Sequence, residues 1–180
     1  MTFDQPHPGS FFRAVAGRDA LGRQRLGDVL VDAGALTTTQ LATALARQDD
    51  RSRGRLRLGV LLVELGYAGE EAIAAALASQ LELGTLHPQA LPAPEVVRLL
   101  PRAVSRRSLT LTVGHTTQGL VVAMADPTDD MALDDVTLHT RVKHLTVLVT
   151  TPSRITEHLA RAWSLGADDG PPVRLAPGDG

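Results

Sequence analysis

Two stretches of the chain are near copies of one another, and the repeat limits what its first half can fold into. Residues 25–48 read RLGDVLVDAGALTTTQLATALARQ, and residues 57–80 read RLGVLLVELGYAGEEAIAAALASQ. Setting Arg25 on Arg57 gives an offset of 57 − 25 = 32 residues without gaps. Leu26, Gly27, Leu30, Val31, Gly34, Leu45 and Gln48 then fall on Leu58, Gly59, Leu62, Val63, Gly66, Leu77 and Gln80, and Leu41 meets Ile73. Shared apolar spacing alone does not produce so many identities, so this is a duplicated unit.

Each unit carries the signals of two short helices. Leu26, Val29, Leu30 and Ala33 keep helical apolar spacing up to Gly34, which is suited to the left-handed cap conformation. A second helix is expected from Thr37, where Gln40 completes a capping box, with Leu41, Ala44, Leu45 and Gln48 along one face. In the second unit Gly69 takes the cap position, and Glu70 and Glu71 suit the first helical turn. The expectation is two helical hairpins in tandem, packed about a pseudo-twofold.

Packing accounts for the leucines but not for an arginine at the start and a glutamine at the end of both units. Other exposed positions differ between the copies (Asp28/Val60, Thr43/Ala75, Arg47/Ser79), whereas these two polar residues do not. Matched arginines, amides and leucines suit a ligand with two similar halves. Arginine presents a planar donor fork to a phosphate or a guanine edge, and the amide both donates and accepts.

The tandem pattern RLGxxLxxxGxxxxxxLxxxLxxQ resembles the cyclic di-GMP-binding N-terminal domain of type II secretion and type IV pilus assembly ATPases, the MshE N-terminal domain family. The resemblance spans residues 25 to about 163. It implies that each motif holds one half of the dinucleotide, with arginine and glutamine in polar contact and leucines on the guanines. Carried over, this selects Arg25, Leu26, Gly27, Leu41, Leu45 and Gln48, then Arg57, Leu58, Gly59, Ile73, Leu77 and Gln80. It also implies that an acidic residue of the second subdomain reaches the ligand or its arginine, which selects Asp126 in AMADP. The chain is therefore expected to be a non-catalytic cyclic di-GMP receptor domain, with a protein-docking module of a secretion or pilus system as the alternative. It is expected to work in the cytoplasm, with a protein partner in such a pathway and no cofactor beyond the dinucleotide.

Outside the two units, residues 1–20 form an arm holding all three phenylalanines, Phe3, Phe11 and Phe12. Residues 21–86 form the helical ligand-binding subdomain, in which Asp49 to Leu56 is a polar surface loop. Prolines at 88, 92 and 94 mark 81–94 as a linker, expected to be the only connection between the hairpins and the second subdomain. Residues 87–165 are expected to fold as a small α/β subdomain, giving an α+β chain overall. Within it come a helix from Glu95 to Leu100 and a hairpin of Leu109–Val113 with Leu120–Ala125. A helix over Met131–Thr140, a strand over Leu145–Thr150 and a last helix capped by Ser153 complete it. Residues 166–180, rich in glycine and proline, are expected to be a flexible tail.

Composition narrows the function further. At 180 residues with 43% apolar and 21% charged content, the chain can bury a sizeable core. A net charge of −2 gives no electrostatic footprint for nucleic acid. The absence of cysteine excludes disulfides and thiolate metal sites. No apolar run approaches the roughly 20 residues of a membrane span, and the N-terminus lacks the pattern of a signal peptide. No G-x-x-x-x-G-K-[ST] loop occurs, so an ATPase domain is not expected in this chain, and G-x-S-x-G is likewise missing. His139 and His144 are not joined by helical spacing, so no metal site is expected there.

Overall fold

A computed structural model describes residues 24–48, 56–117 and 119–164. The arm of residues 1–20, the loop from Asp49 and the 166–180 tail therefore lie outside the described residues, apart from Leu56 at the loop's end.

Each unit supplies two helices: α1 (Leu26–Asp32) and α2 (Thr38–Gln48), then α3 (Leu58–Glu64) and α4 (Glu70–Leu81). Their ends form for the local reasons read in the sequence. Gly34 and Gly66 adopt φ of 69° and 65°, the left-handed conformation that lets the chain leave α1 and α3 and turn into the next helix. At the start of α2 the Thr37 amide donates to Gln40 Oε1 at 2.9 Å, and the Gln40 amide donates to Thr37 Oγ1 at 3.2 Å.

The two units do not close as separate hairpins. Helix α1 lies chiefly against α4, and α2 against α3, so each unit packs its first helix on the other's second. Leu30, Leu36, Ala44, Leu61, Leu62, Ile73 and Ala76 form the core of this four-helix layer. Leu30 and Leu62, equivalent in the repeat, are both almost fully buried, each contributing about 1.5–3 kcal/mol through lost apolar hydration.

The chain then builds β1 (Gly84–Thr85), α5 (Pro94–Val97), α6 (Arg102–Ser108), β2 (Thr110–Thr116), β3 (Gly119–Met124), α7 (Asp130–Thr140), β4 (Leu145–Val149) and α8 (Pro152–Ser164). The sheet order is β1-β4-β3-β2. Strand β4 runs parallel to both β1 and β3, and β2 is antiparallel to β3 with a bulge between Thr112 and Gly114. Helix α7 makes the crossover that parallel β3 and β4 require. Leu120, Val122 and Met124 alternate along β3 toward a core shared with Ala132 and Val136 of α7 and with Val147 and Val149 of β4. A second core joins Leu111 of β2 to Val97, Ile155, Leu159 and Ala162.

Several sequence expectations need correction. Helix α5 ends at Val97 rather than Leu100, and Arg102–Ser108 forms a helix of its own. Segment 81–94 contributes strand β1, so it is partly sheet rather than only linker. The last helix is capped by Thr151, whose hydroxyl accepts from the Arg154 amide at 3.3 Å, with Pro152 in the first helical position instead of Ser153 capping it.

The largest correction concerns how the two parts meet. Ala74 and Ala78 of α4 belong to the sheet core, with Leu77 and Leu81 packed beside them, while Ile73 and Ala76 of the same helix belong to the four-helix core. Glu70 adds a polar tie by accepting from the Ser153 amide at the start of α8, at 3.0 Å. The helical layer and the α/β layer thus share a helix, and the linker is only one of their connections.

Candidate functional site

Arg25 and Arg57 each occupy the residue before a helix, in extended backbone at φ −73°, ψ 151° and φ −68°, ψ 142°. That conformation carries both side chains clear of the adjoining helix, and both arginines are exposed. The two terminal glutamines fasten these lead-ins crosswise. Gln48 Nε2, at the end of the first unit, donates to the Leu56 carbonyl at 2.8 Å, one residue before Arg57. Gln80 Nε2, at the end of the second, donates to the Gln24 carbonyl at 2.9 Å, one residue before Arg25. Positions 24 and 56 are separated by the same 32 residues as the repeat, so the two bonds occupy equivalent positions in it and each runs from one unit to the other. Each arginine therefore stands beside the glutamine of the other unit.

The glycine after each RL pair serves close packing. A Cβ on Gly27 would lie 2.5 Å from Leu41 Cδ1, and one on Gly59 would lie 3.0 Å from Ile73 Cγ2. Leu41 and Ile73 are equivalent, so in both units the second helix seats a branched side chain against the bare backbone of the first. This holds the arginine-bearing turn close to the second helix of the same unit.

The apolar candidates divide unevenly. Leu45 is 44% exposed and available to a ligand, whereas its twin Leu77 is packed against both cores. Leu26, Leu41 and Leu58 are half-buried in the four-helix core, and Ile73 is buried in it. Val60 on α3 is 48% exposed beside the Arg57 turn, and its repeat partner Asp28 is polar, so the repeat gives no signal for it as a site residue.

The arginines differ more sharply than the leucines. Among the described residues Arg25 makes no ion pair. Arg57 makes two: its Nη1 is bound by Asp126 Oδ2, and its Nη2 lies 3.5 Å from Asp129 Oδ2. The second oxygen of Asp126 accepts from the Thr128 amide at 2.9 Å and from the Thr128 hydroxyl, which fixes the carboxylate on its turn. Asp129 caps α7, its Oδ1 accepting from the Ala132 amide at 3.1 Å. The sequence marks a helix over Met131–Thr140, but the reach of Asp129 to Arg57 was not legible in it.

A family model for the MshEN domain matches residues 81–167, essentially the α/β part. Among solved structures, MshE with cdg is 30% identical, with a TM-score of 0.65, over 78% of this chain and 100% of that one. The chain belongs to the MshEN family. The N-terminal domain of XpsE is similar to this MshEN domain at 28% identity and a TM-score of 0.63, over 76% of this chain and 92% of that one. No curated protein matches. The mixed four-stranded sheet with helices before and around it is the α+β fold expected from the sequence, and membership makes the chain a regulatory or docking domain. Among the described residues of this MshEN domain, no three His, Asp or Glu side chains cluster to hold a metal ion. No helix among them is long and apolar enough to cross a membrane.

Proposed function

We propose that the chain is a non-catalytic receptor domain for cyclic di-GMP, acting in the cytoplasm as the regulatory part of a secretion, pilus or related signalling system. The observation that carries this reading is the pair of crosswise fastened arginines. Two donor forks at equivalent positions of the repeat, each beside the amide of the other unit, match a ligand built of two identical nucleotides in a ring. That MshE was solved with cdg supports the same ligand class. Isothermal titration of the chain with cyclic di-GMP is expected to give one ligand per chain. No heat and no thermal shift at high micromolar ligand would overturn the reading.

In this proposal each half-site is composite, with Arg25 acting alongside Gln80 and Arg57 alongside Gln48. This refines the expectation that each motif serves one half of the ligand by itself. Double-mutant cycles on ligand affinity distinguish the two arrangements. Coupling of about 0.5 kcal/mol or more is expected for Arg25 with Gln80 and for Arg57 with Gln48. Larger coupling for Arg25 with Gln48 and for Arg57 with Gln80 would return each half-site to a single motif.

One observation favours a second reading. Arg57 is already held by two carboxylates of the α/β part, as a strut between subdomains would be. A docking module of a type II secretion or type IV pilus system, with no nucleotide, would use Arg57 in this way. The titration separates the two readings.

A further inference from the structure

Asp129 carries two functions on its two oxygens. Its Oδ1 is committed to the Ala132 amide as the cap of α7, and its Oδ2 faces Arg57 Nη2 at 3.5 Å. Asp126 holds the other terminal nitrogen of the same guanidinium. A guanidinium paired at both Nη groups cannot turn about its stem without losing one contact, so the two carboxylates favour one orientation of its plane before any ligand arrives. Arg25, the twin of Arg57, has no carboxylate on either nitrogen among the described residues. Among the described residues, the second unit thus offers a fork paired with carboxylates and the first a fork without them.

We propose that Asp129 is a positioning residue for Arg57: from the cap of α7 it holds the guanidinium plane in which the proposed cyclic di-GMP site uses it. The proposal rests on the receptor reading for the ligand it serves, but the orientation itself belongs to the ligand-free chain. It makes the N-terminus of α7 a physical part of the second half-site, so the α/β layer helps to build that half-site.

Asp129→Asn tests this in the full chain, because asparagine caps a helix as well as aspartate does while removing the negative charge that faces Arg57. In ligand-free protein the ¹H–¹⁵Nε signal of Arg57 is expected to move while that of Arg25 stays. Cyclic di-GMP affinity is expected to fall about two- to fivefold, the range of a partly solvated ion pair, with the melting temperature unchanged. In an Arg57→Ala background the same substitution is expected to have no further effect on affinity. An unmoved Arg57 signal, or an equal loss of affinity without Arg57, would overturn the proposal. If the wild-type chain binds no cyclic di-GMP, the receptor reading falls, and the Arg57 signal alone then decides the role of Asp129.

Discussion

Gly119→Ala is expected to be the most damaging single-methyl change at any glycine of the described fold. A Cβ at this position would lie 2.0 Å from the His144 carbonyl oxygen and 2.8 Å from its carbon. The obstacle is backbone, so no rotamer change relieves it. The backbone is also pinned: the Leu120 amide donates to that carbonyl at 3.0 Å, and Gly119 pairs with Thr116 on its other side. Relief requires β3 and β4 to part where their ladder begins at Leu120 and Leu145. The cost is expected to be about 3 kcal/mol or more. For a domain of this size that corresponds to roughly 6–12 °C in melting temperature. Gly34→Ala is the comparison, since nothing lies within 4 Å of its Cβ and only its φ of 69° opposes the change. It should cost about 1 kcal/mol. Equal melting of the two variants would contradict the close approach at His144.

The largest effects on binding are expected from the two arginines. A hydrogen bond to a charged group contributes about 1.5–3 kcal/mol, so Arg25→Ala and Arg57→Ala should each weaken cyclic di-GMP binding roughly tenfold to a hundredfold. Melting should move little in either case. Arg25 supports no ion pair among the described residues, and the Arg57 side chain is 51% exposed, so its pairs with Asp126 and Asp129 are screened by water. Titration calorimetry beside thermal melting reads both quantities. Wild-type affinity in both variants would make the arginines solvated ends, whereas a melting loss as large as that of Gly119→Ala would make them structural.

What could be read from the sequence was what neighbouring residues decide among themselves. The capping box of Thr37 and Gln40, the left-handed turns at Gly34 and Gly66, and the hairpin of β2 with β3 all depend on residues near one another in the chain. Strand β1 escaped because two residues, Gly84 and Thr85, have no periodicity, and only β4 makes them a strand. Helix α6 escaped because its arginines, at 102, 106 and 107, look like a solvated run until Val104 and Ser105 are buried by the rest of the fold. The repeat identified the arginines and glutamines but not their crosswise pairing, since partner exchange between two copies leaves no trace in either copy. Asp126 entered through family resemblance, and its meeting with Arg57 rather than Arg25 depends on how α4 sits on the sheet.

That seating gives the repeat an internal hierarchy of stability. The second unit cannot open without uncovering the sheet core that Ala74 and Ala78 help to close, so its local unfolding approaches the cost of unfolding the whole domain. Helices α1 and α2 cover only the four-helix core, and their release leaves the sheet intact. The equivalent alanines of α2, Ala42 and Ala46, face solvent where those of α4 face a sheet. Two copies of one sequence have thereby become an anchor and a leaf, and a ligand spanning both would do most of its thermodynamic work on the leaf.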